Sequence, residues 1–355
     1  MKERNGMTKM KKMVCMVAAM GLSTMVLAAE GDGALSAVGI VRDGKTPCSD
    51  AIQRLIDQNP NREIYFPDGT YLLDKPICTP AHPKRSVSLH LSTFAIFKAS
   101  PDWKSPEAMV RLGGIHPAND IRTAGSWYWF KGGIIDGSGV ASGISIDSGR
   151  ETMVAEVSMK RVKIGLRIKH GANSGSSDSD IRNVNIVGTG KADSIGVVVE
   201  GYDNTIANMR IAGVFMGVVV KSGGNRLINI HPLLTCCWDI YDKTVGFQIN
   251  GDNNWGDFCY SDQFSTGFRF GPRGGGVFDH AFCFWYRSAK DMRHVGMESA
   301  GKFNAVFDTP TVCFRQNDAN NALVVEGERG GNGRIESPRC NLAKVRDPAR
   351  RGLAK

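Results

Sequence analysis

The sequence predicts an all-β chain wound as one single-stranded, right-handed parallel β-helix, opened by a short capping helix. Two observations carry this. A glycine-led strand recurs along the chain, and in several units a second strand follows it after a Gly or Asn turn. Set under one another, Gly143-Ile-Ser-Ile-Asp, Gly165-Leu-Arg-Ile-Lys, Gly196-Val-Val-Val-Glu, Gly217-Val-Val-Val-Lys, Gly246-Phe-Gln-Ile-Asn and Gly267-Phe-Arg-Phe-Gly repeat one pattern. Gly296-Met-Glu-Ser-Ala and Ala322-Leu-Val-Val-Glu continue it, at spacings of 22, 31, 21, 29, 21, 29 and 26 residues. Second strands follow at Asp180–Ile186, Asn204–Ile211 and Asn225–His231. Apolar residues alternate along each unit, so one side faces inward. A single unit cannot bury that side; stacking many closes a continuous core. Propeller and leucine-rich repeats are longer or differently patterned.

The first residues read as an export signal. Lys9, Lys11 and Lys12 precede an apolar run from Met13 to Leu27, with small residues at Val26-Leu27-Ala28. That pattern is a cleavable leader, and the run is too short for a stable membrane span. We expect a leader over 1–28, a β-helix domain over 35–340, and a basic off-pattern tail over 341–355. The expected location is secreted or periplasmic, with no membrane partner.

Charge adds an exclusion. The formal net charge is +9, but leader and tail each carry an excess of four, leaving 34 basic and 33 acidic residues between them. The basic footprint of a nucleic-acid binder is therefore missing. Of nine cysteines, Cys15 leaves with the leader. The other eight have no zinc spacing; export would permit pairing, and most read as small buried apolar residues. Cys236, Cys259 and Cys283 recur at 23 and 24 residues and are expected to stack in neighbouring rungs. Residues 171–180 read as a flexible surface loop.

The segment 39–77 reads as a cap. Ser49 or Asp50 can N-cap a helix whose Ala51, Ile52, Leu55 and Ile56 share a face, and Asn59-Pro60 stops it. Glu63–Phe66, a Pro67-Asp68-Gly69 turn and Thr70–Leu73 follow. Such a helix can cover the open end of a strand stack. The DG-containing loop, the Asp50-Ala-Ile-Gln helix and the Tyr65-Phe-Pro-Asp-Gly-Thr-Tyr hairpin resemble the N-terminus of the pectate-lyase superfamily, in its glycoside-hydrolase-28-related and rhamnogalacturonase-like branch. The resemblance covers about 40 residues. It implies the fold, export and a carbohydrate partner. It does not fix a reaction, because this fold hosts lyases, hydrolases, epimerases, transferases and tailspikes.

A glycosidase needs carboxylates flanking the scissile bond. Arg167-Ile-Lys matches a polygalacturonase motif, but no Asp-Asp and no Gly-His-Gly stands upstream, and Asp136-Gly is ordinary turn chemistry. A lyase needs a cation to neutralise a uronate carboxylate and a base to take the adjacent proton. Arg210, His231 and Tyr260 each lie fourteen residues after their repeat glycine, so they should form one outward column. Asp257 and Asp262 belong to the same region, as acid and nucleophile or base in the alternative chemistry. With Asp239 they also offer oxygen ligands for Ca2+, though no dense Asp-x-Asp cluster marks a metal site. Trp238, Asp239, Tyr241 and Lys243 on one long loop, and Trp285, Tyr286, Arg287 and Arg293 on another, are expected to wall a groove for a polysaccharide. The leading expectation is a lyase acting on a uronate-containing polysaccharide. A glycoside hydrolase or epimerase, or a non-catalytic glycan-binding adhesin, stays open beside it. β-Helix proteins can trimerise, and a homotrimer is the candidate assembly.

Overall fold

The computed structural model describes residues 34–80, 86–115, 128–170, 176–286, 292–315, 321–328 and 330–341. The chain divides at Leu35 into two units, and Ser36–Lys355 is the larger. The leader and nearly all of the 341–355 tail lie outside the described residues.

The larger unit is a right-handed parallel β-helix. Ten strands, from Ile77–Pro80 to Ala322–Glu328, form one sheet in which each pairs in parallel with the strand one rung on. The remaining strands of each rung belong to a larger, also parallel, sheet. The glycine repeat marks the ten-stranded sheet. A methyl group built on Gly217 would lie 2.4 Å from the Gly246 carbonyl oxygen and 2.5 Å from Pro232 Cβ. Gly196 would meet the Gly217 oxygen at 2.5 Å and Ile211 at 2.5 Å. Inward side chains of the opposite sheet press onto this column, so only glycine fits. One expectation shifts here: Val295 pairs with Ala322, which sets Leu323, not Ala322, beside Gly296. A side chain is accommodated at that last position.

The second strand of most rungs is bent by one residue in the left-handed region: Asn183, Asn208, Asn229, Phe258, His280 and Thr309, with φ from 46° to 56°. Asparagine tolerates this conformation, and three of the bends are tied together. Asn229 Nδ2 donates to Asn208 Oδ1 at 3.0 Å, and Asn208 Nδ2 donates to Asn183 Oδ1 at 3.3 Å. Each bend separates two outward faces of the larger sheet.

The cap forms with two differences from expectation, and a third lies farther along the chain. The helix is Ser49–Gln58, burying Ile52 and Ile56, but Cys48 is its N-cap and makes no side-chain cap bond. Ser49 Oγ instead donates to the Lys75 carbonyl at 3.0 Å and accepts from Asp74 N at 3.1 Å, pinning the helix to the first rung. The 62–73 segment is no hairpin. Arg62–Phe66 and Gly69–Leu73 each pair in parallel with the following rung, and Pro67-Asp68 is a corner. Finally, the stretch 171–180 is not all loop. Ser176 and Ser177 pair with Gly149 and Arg150, and Ser176 and Ser179 are buried.

All eight described cysteines are free. Cys283 pairs with Ser261 in the inward column that faces the glycines, while Cys259 lies two residues before Ser261 and so occupies a different column. Cys236 sits in a turn with its sulfur 3.4 Å from that of Cys237. The expected three-cysteine stack is therefore absent, because turn lengths differ between these rungs. Burial pushes the Cys259 thiol up to about 12, as suits a structural cysteine.

Candidate functional site

The register places Arg210 and His231 as direct partners on neighbouring strands, Thr205–Ala212 and Arg226–Leu233. Leu233 pairs with Asp262, which brings Tyr260 beside His231 on the next rung. The rings of His231 and Tyr260 stack at 4.1 Å and 11°. All three residues thus share one outward column after the bend. Period-2 alternation drives this, with Ile211 and Met209 buried on either side of exposed Arg210.

Asp262 anchors the lower end of the column. Its Oδ2 accepts from the Tyr260 hydroxyl at 2.9 Å and faces His231 Nε2 at 3.5 Å, while Oδ1 accepts from Gln263 Nε2 at 3.1 Å. A carboxylate only accepts, so it favours the proton on His231 Nε2 and leaves Nδ1 as the free acceptor. Burial and the Asp262 carboxylate push the Tyr260 hydroxyl well above its ordinary value. Tyr260 thus donates to Asp262 and offers its ring face to His231. Phe282 continues the stack at 4.7 Å from Tyr260, followed by Phe284 and half-exposed Tyr286.

Above this ring stack lies a groove of about 320 Å³, lined by Ser158, Lys160, Asn185, Arg210, His231 and Leu233 among others. No Asp or Glu among the described residues lines it. Neither Lys160 nor Arg210 has an ion-pair partner among the described residues, although neighbouring Arg161 is paired with Asp136. Two uncompensated cations and an imidazole in a carboxylate-free trough make a site for an anionic ligand.

Among the described residues, the rings expected to wall a loop groove pack inward instead. Tyr241 is buried, and its hydroxyl lies 2.6 Å from His294 Nδ1, bridging the two long loops over the short turn at Ser265. Trp285 is 1% exposed, donates its indole N–H to the Phe264 carbonyl at 2.6 Å, and stacks on Phe314. Apolar area decided the outcome: these large rings bury more surface by filling the turn region than by standing exposed. Trp238 packs partly buried against Tyr241. Asp239 and Lys243 are exposed on a 3-10 segment, Trp238–Lys243. Arg293 lies 3.6 Å from Glu298. Arg287 lies outside the described residues. Asp257 falls on the other side of the bend from Tyr260, in a carboxylate column with Asp279, Asp308 and Glu336, and accepts from His280 at 3.2 Å. Asp239, Asp257 and Asp262 are not gathered. Among the described residues no three His, Cys, Asp or Glu side chains converge to hold a metal ion.

Sequence reasoning missed the upper part of the groove. Asn185 pairs with Arg210 and Ser158 with Asn185, so extending the column toward the N-terminus would have found both. Lys160 is harder to find, because the strand is irregular between Met159 and Val162. A larger basin of about 850 Å³ adjoins at Ser158, along the corners of the first rungs, with Tyr65, Asp68, His90, Phe94 and Glu156 in its lining.

No protein-family model matches the chain, and no curated protein sequence matches it. Solved structures do. An alginate lyase from Paenibacillus sp. aligns with a TM-score of 0.58 at 13% identity, over 81% of this chain and 97% of that one. An endo-xylogalacturonan hydrolase from Aspergillus tubingensis aligns with a TM-score of 0.58 at 12% identity, over 88% of this chain and all of the other. A tailspike protein of Acinetobacter baumannii bacteriophage Fri1, a capsular polysaccharide depolymerase, aligns with a TM-score of 0.55 at 11% identity, over 89% of this chain and 62% of its own. At such identities the likeness establishes the fold alone, a parallel β-helix.

Proposed function

We propose that this protein cleaves a uronate-containing polysaccharide by β-elimination in the groove between Ser158 and Tyr260. One observation carries the reading: unpaired Arg210 stands one rung from His231, whose ring is braced by Tyr260 and Asp262, in a trough without carboxylates. Arg210 neutralises the uronate carboxylate, which acidifies the adjacent C5–H. His231 takes that proton, the C4–C5 double bond forms, and the C4–O bond breaks, its oxygen leaving with a proton from water. Lys160 binds a further anionic group. The Tyr260, Phe282, Phe284 and Tyr286 rings offer apolar faces to sugar C–H groups.

Support comes from fold neighbours whose own descriptions name polysaccharides as their targets. Elimination is favoured over hydrolysis because no pair of carboxylates faces this groove. Export through the 1–28 leader belongs to the same reading, and N-terminal sequencing of protein recovered outside the cytoplasm tests it. Sedimentation of the mature chain distinguishes a monomer from a trimer. The deciding assay measures ultraviolet absorbance of unsaturated uronate product on pectins, rhamnogalacturonan, alginate and glucuronate-bearing gums. A signal lost in His231→Ala supports elimination. New reducing ends without absorbance would replace it with hydrolysis, and retained glycan binding without either product would make the chain a binding module.

A further inference from the structure

The groove does not end at Ser158. With the adjoining basin it spans seven rungs, from that of Tyr65 to that of His231. At about 4.8 Å per rung this is about 29 Å, long enough for an oligosaccharide. Its two halves carry opposite charge. The His231 half holds Lys160 and Arg210 with no carboxylate. Among the described residues, the Tyr65 half is lined by Asp68 and Glu156, and by no Lys or Arg.

Two cations beside the Tyr65 half are already engaged by carboxylates. His90 Nδ1 lies 3.0 Å from Glu63, and Lys131 lies 3.5 Å from Glu156. Asp68 uses only Oδ1, which accepts from the Ser92 hydroxyl and, at 3.3 Å, from Phe94 N. Its other oxygen has no partner among the described residues. Beside these carboxylates stand two rings, Tyr65 and 68%-exposed Phe94. A chain of uninterrupted uronates would bring its own carboxylates against Asp68, which has no ion-pair partner among the described residues, and against Glu156, whose charge Lys131 answers only in part, at 3.5 Å. Like charges at that approach are repelled, which selects against such a chain. A sugar without an acidic group escapes that repulsion and meets rings to stack on and oxygens that accept from its hydroxyl or amino groups.

We infer that the groove is built for a heteroglycan: a uronate at Arg210 and Lys160, and non-acidic sugars, neutral or amino-bearing, over Tyr65 and Phe94, with Asp68 and Glu156 setting that preference. This rests on the proposed site at Arg210 and extends it to the polymer's composition. The test is calorimetric binding of the full mature chain to two oligosaccharides of equal length. One alternates uronate with neutral or amino sugars; the other is all uronate. Low salt keeps surface charges unscreened. The expected result is tighter binding of the alternating chain. Glu156→Gln, and separately Asp68→Asn, which keeps the Oδ1 acceptor, should each strengthen all-uronate binding by roughly two- to fivefold and leave the alternating chain within about twofold. Arg210→Ala should weaken both ligands. Equal binding of the two ligands by the wild type, or no response to Glu156→Gln with Asp68→Asn folded, overturns the inference while the Arg210 site stands. Ligand binding unaffected by Arg210→Ala, or no binding at all, overturns the site and the inference together.

Discussion

Two outward faces of the same coil carry arginine, and they use it differently. On the ten-stranded sheet, Arg167 grips Glu200 through two bonds of 3.0 Å, Lys221 reaches the same carboxylate at 2.8 Å, and Arg269 lies 2.6 Å from Glu298. On the larger sheet, Arg210 faces a groove whose lining, among the described residues, includes no carboxylate. Both positions satisfy the repeat's demand for a polar outward residue. What separates them is whether the charge is answered from within the chain. A compensated arginine is part of the wall; an uncompensated one beside a braced histidine waits for something from outside. The Arg167-Ile-Lys motif shows the point. Its Lys169 lies 2.6 Å from Glu107 and 3.1 Å from Asp147, so both cations of the motif are engaged.

This contrast can be broken in several places. The largest effect is expected at the groove. His231→Ala should lower elimination by roughly 10²- to 10⁴-fold, with the thermal midpoint moved by no more than about 2 °C. A comparable loss of folding in that variant would make His231 structural. Next comes the glycine column. Gly217→Ala forces a methyl onto the Gly246 carbonyl and Pro232, and should cost about 3 kcal/mol or prevent folding, read by urea unfolding.

A smaller change is expected from Glu200→Gln: a loss of about 1–2 kcal/mol in stability, with elimination unchanged. Burial alone would raise the Glu200 carboxyl, but Lys221 and Arg167 outweigh it and hold it below its usual 4.5. A carboxyl depressed on folding contributes stability that is complete above its unfolded value and fades as pH falls through the folded one. The gap between wild type and Glu200→Gln should therefore be widest near neutrality and close progressively below about pH 4.5 in thermal melts. The smallest change belongs to Tyr260→Phe. It removes the bond to Asp262 and keeps the ring, so activity should fall by less than about tenfold. Because the Tyr260 hydroxyl is held above its ordinary value, the alkaline limb of the rate profile should be the same in both proteins. A limb lost with the hydroxyl would restore Tyr260 as the base.

Much of the coil was legible because its cause is local. Alternating apolar residues and a glycine at each rung follow from strand period and steric closeness, and both are visible in Gly196-Val-Val-Val and Gly217-Val-Val-Val. The Arg210–His231 partnership was legible for the same reason: equal offsets from stacked glycines give equal places in the column. The loops were not. Whether Trp285 stands beside a groove or fills the interior depends on Phe264, His294 and Phe314, which arrive from other rungs. No spacing within its own segment encodes that. The charge state of the groove was equally hidden, since an arginine reads the same whether or not a glutamate 33 residues away reaches it.

The glycine column has a further consequence. Each of these residues is held against the carbonyl of the next rung, so the coil cannot stretch or slip by a fraction of a residue. Side chains along the groove are therefore graduated like marks on a ruler, one per rung, at about 4.8 Å. Length changes between rungs alter the loops and leave the graduations alone, as the unequal repeat spacings already show. Change of preference along this groove must come by exchanging the residue at a mark, or by adding or removing a whole rung.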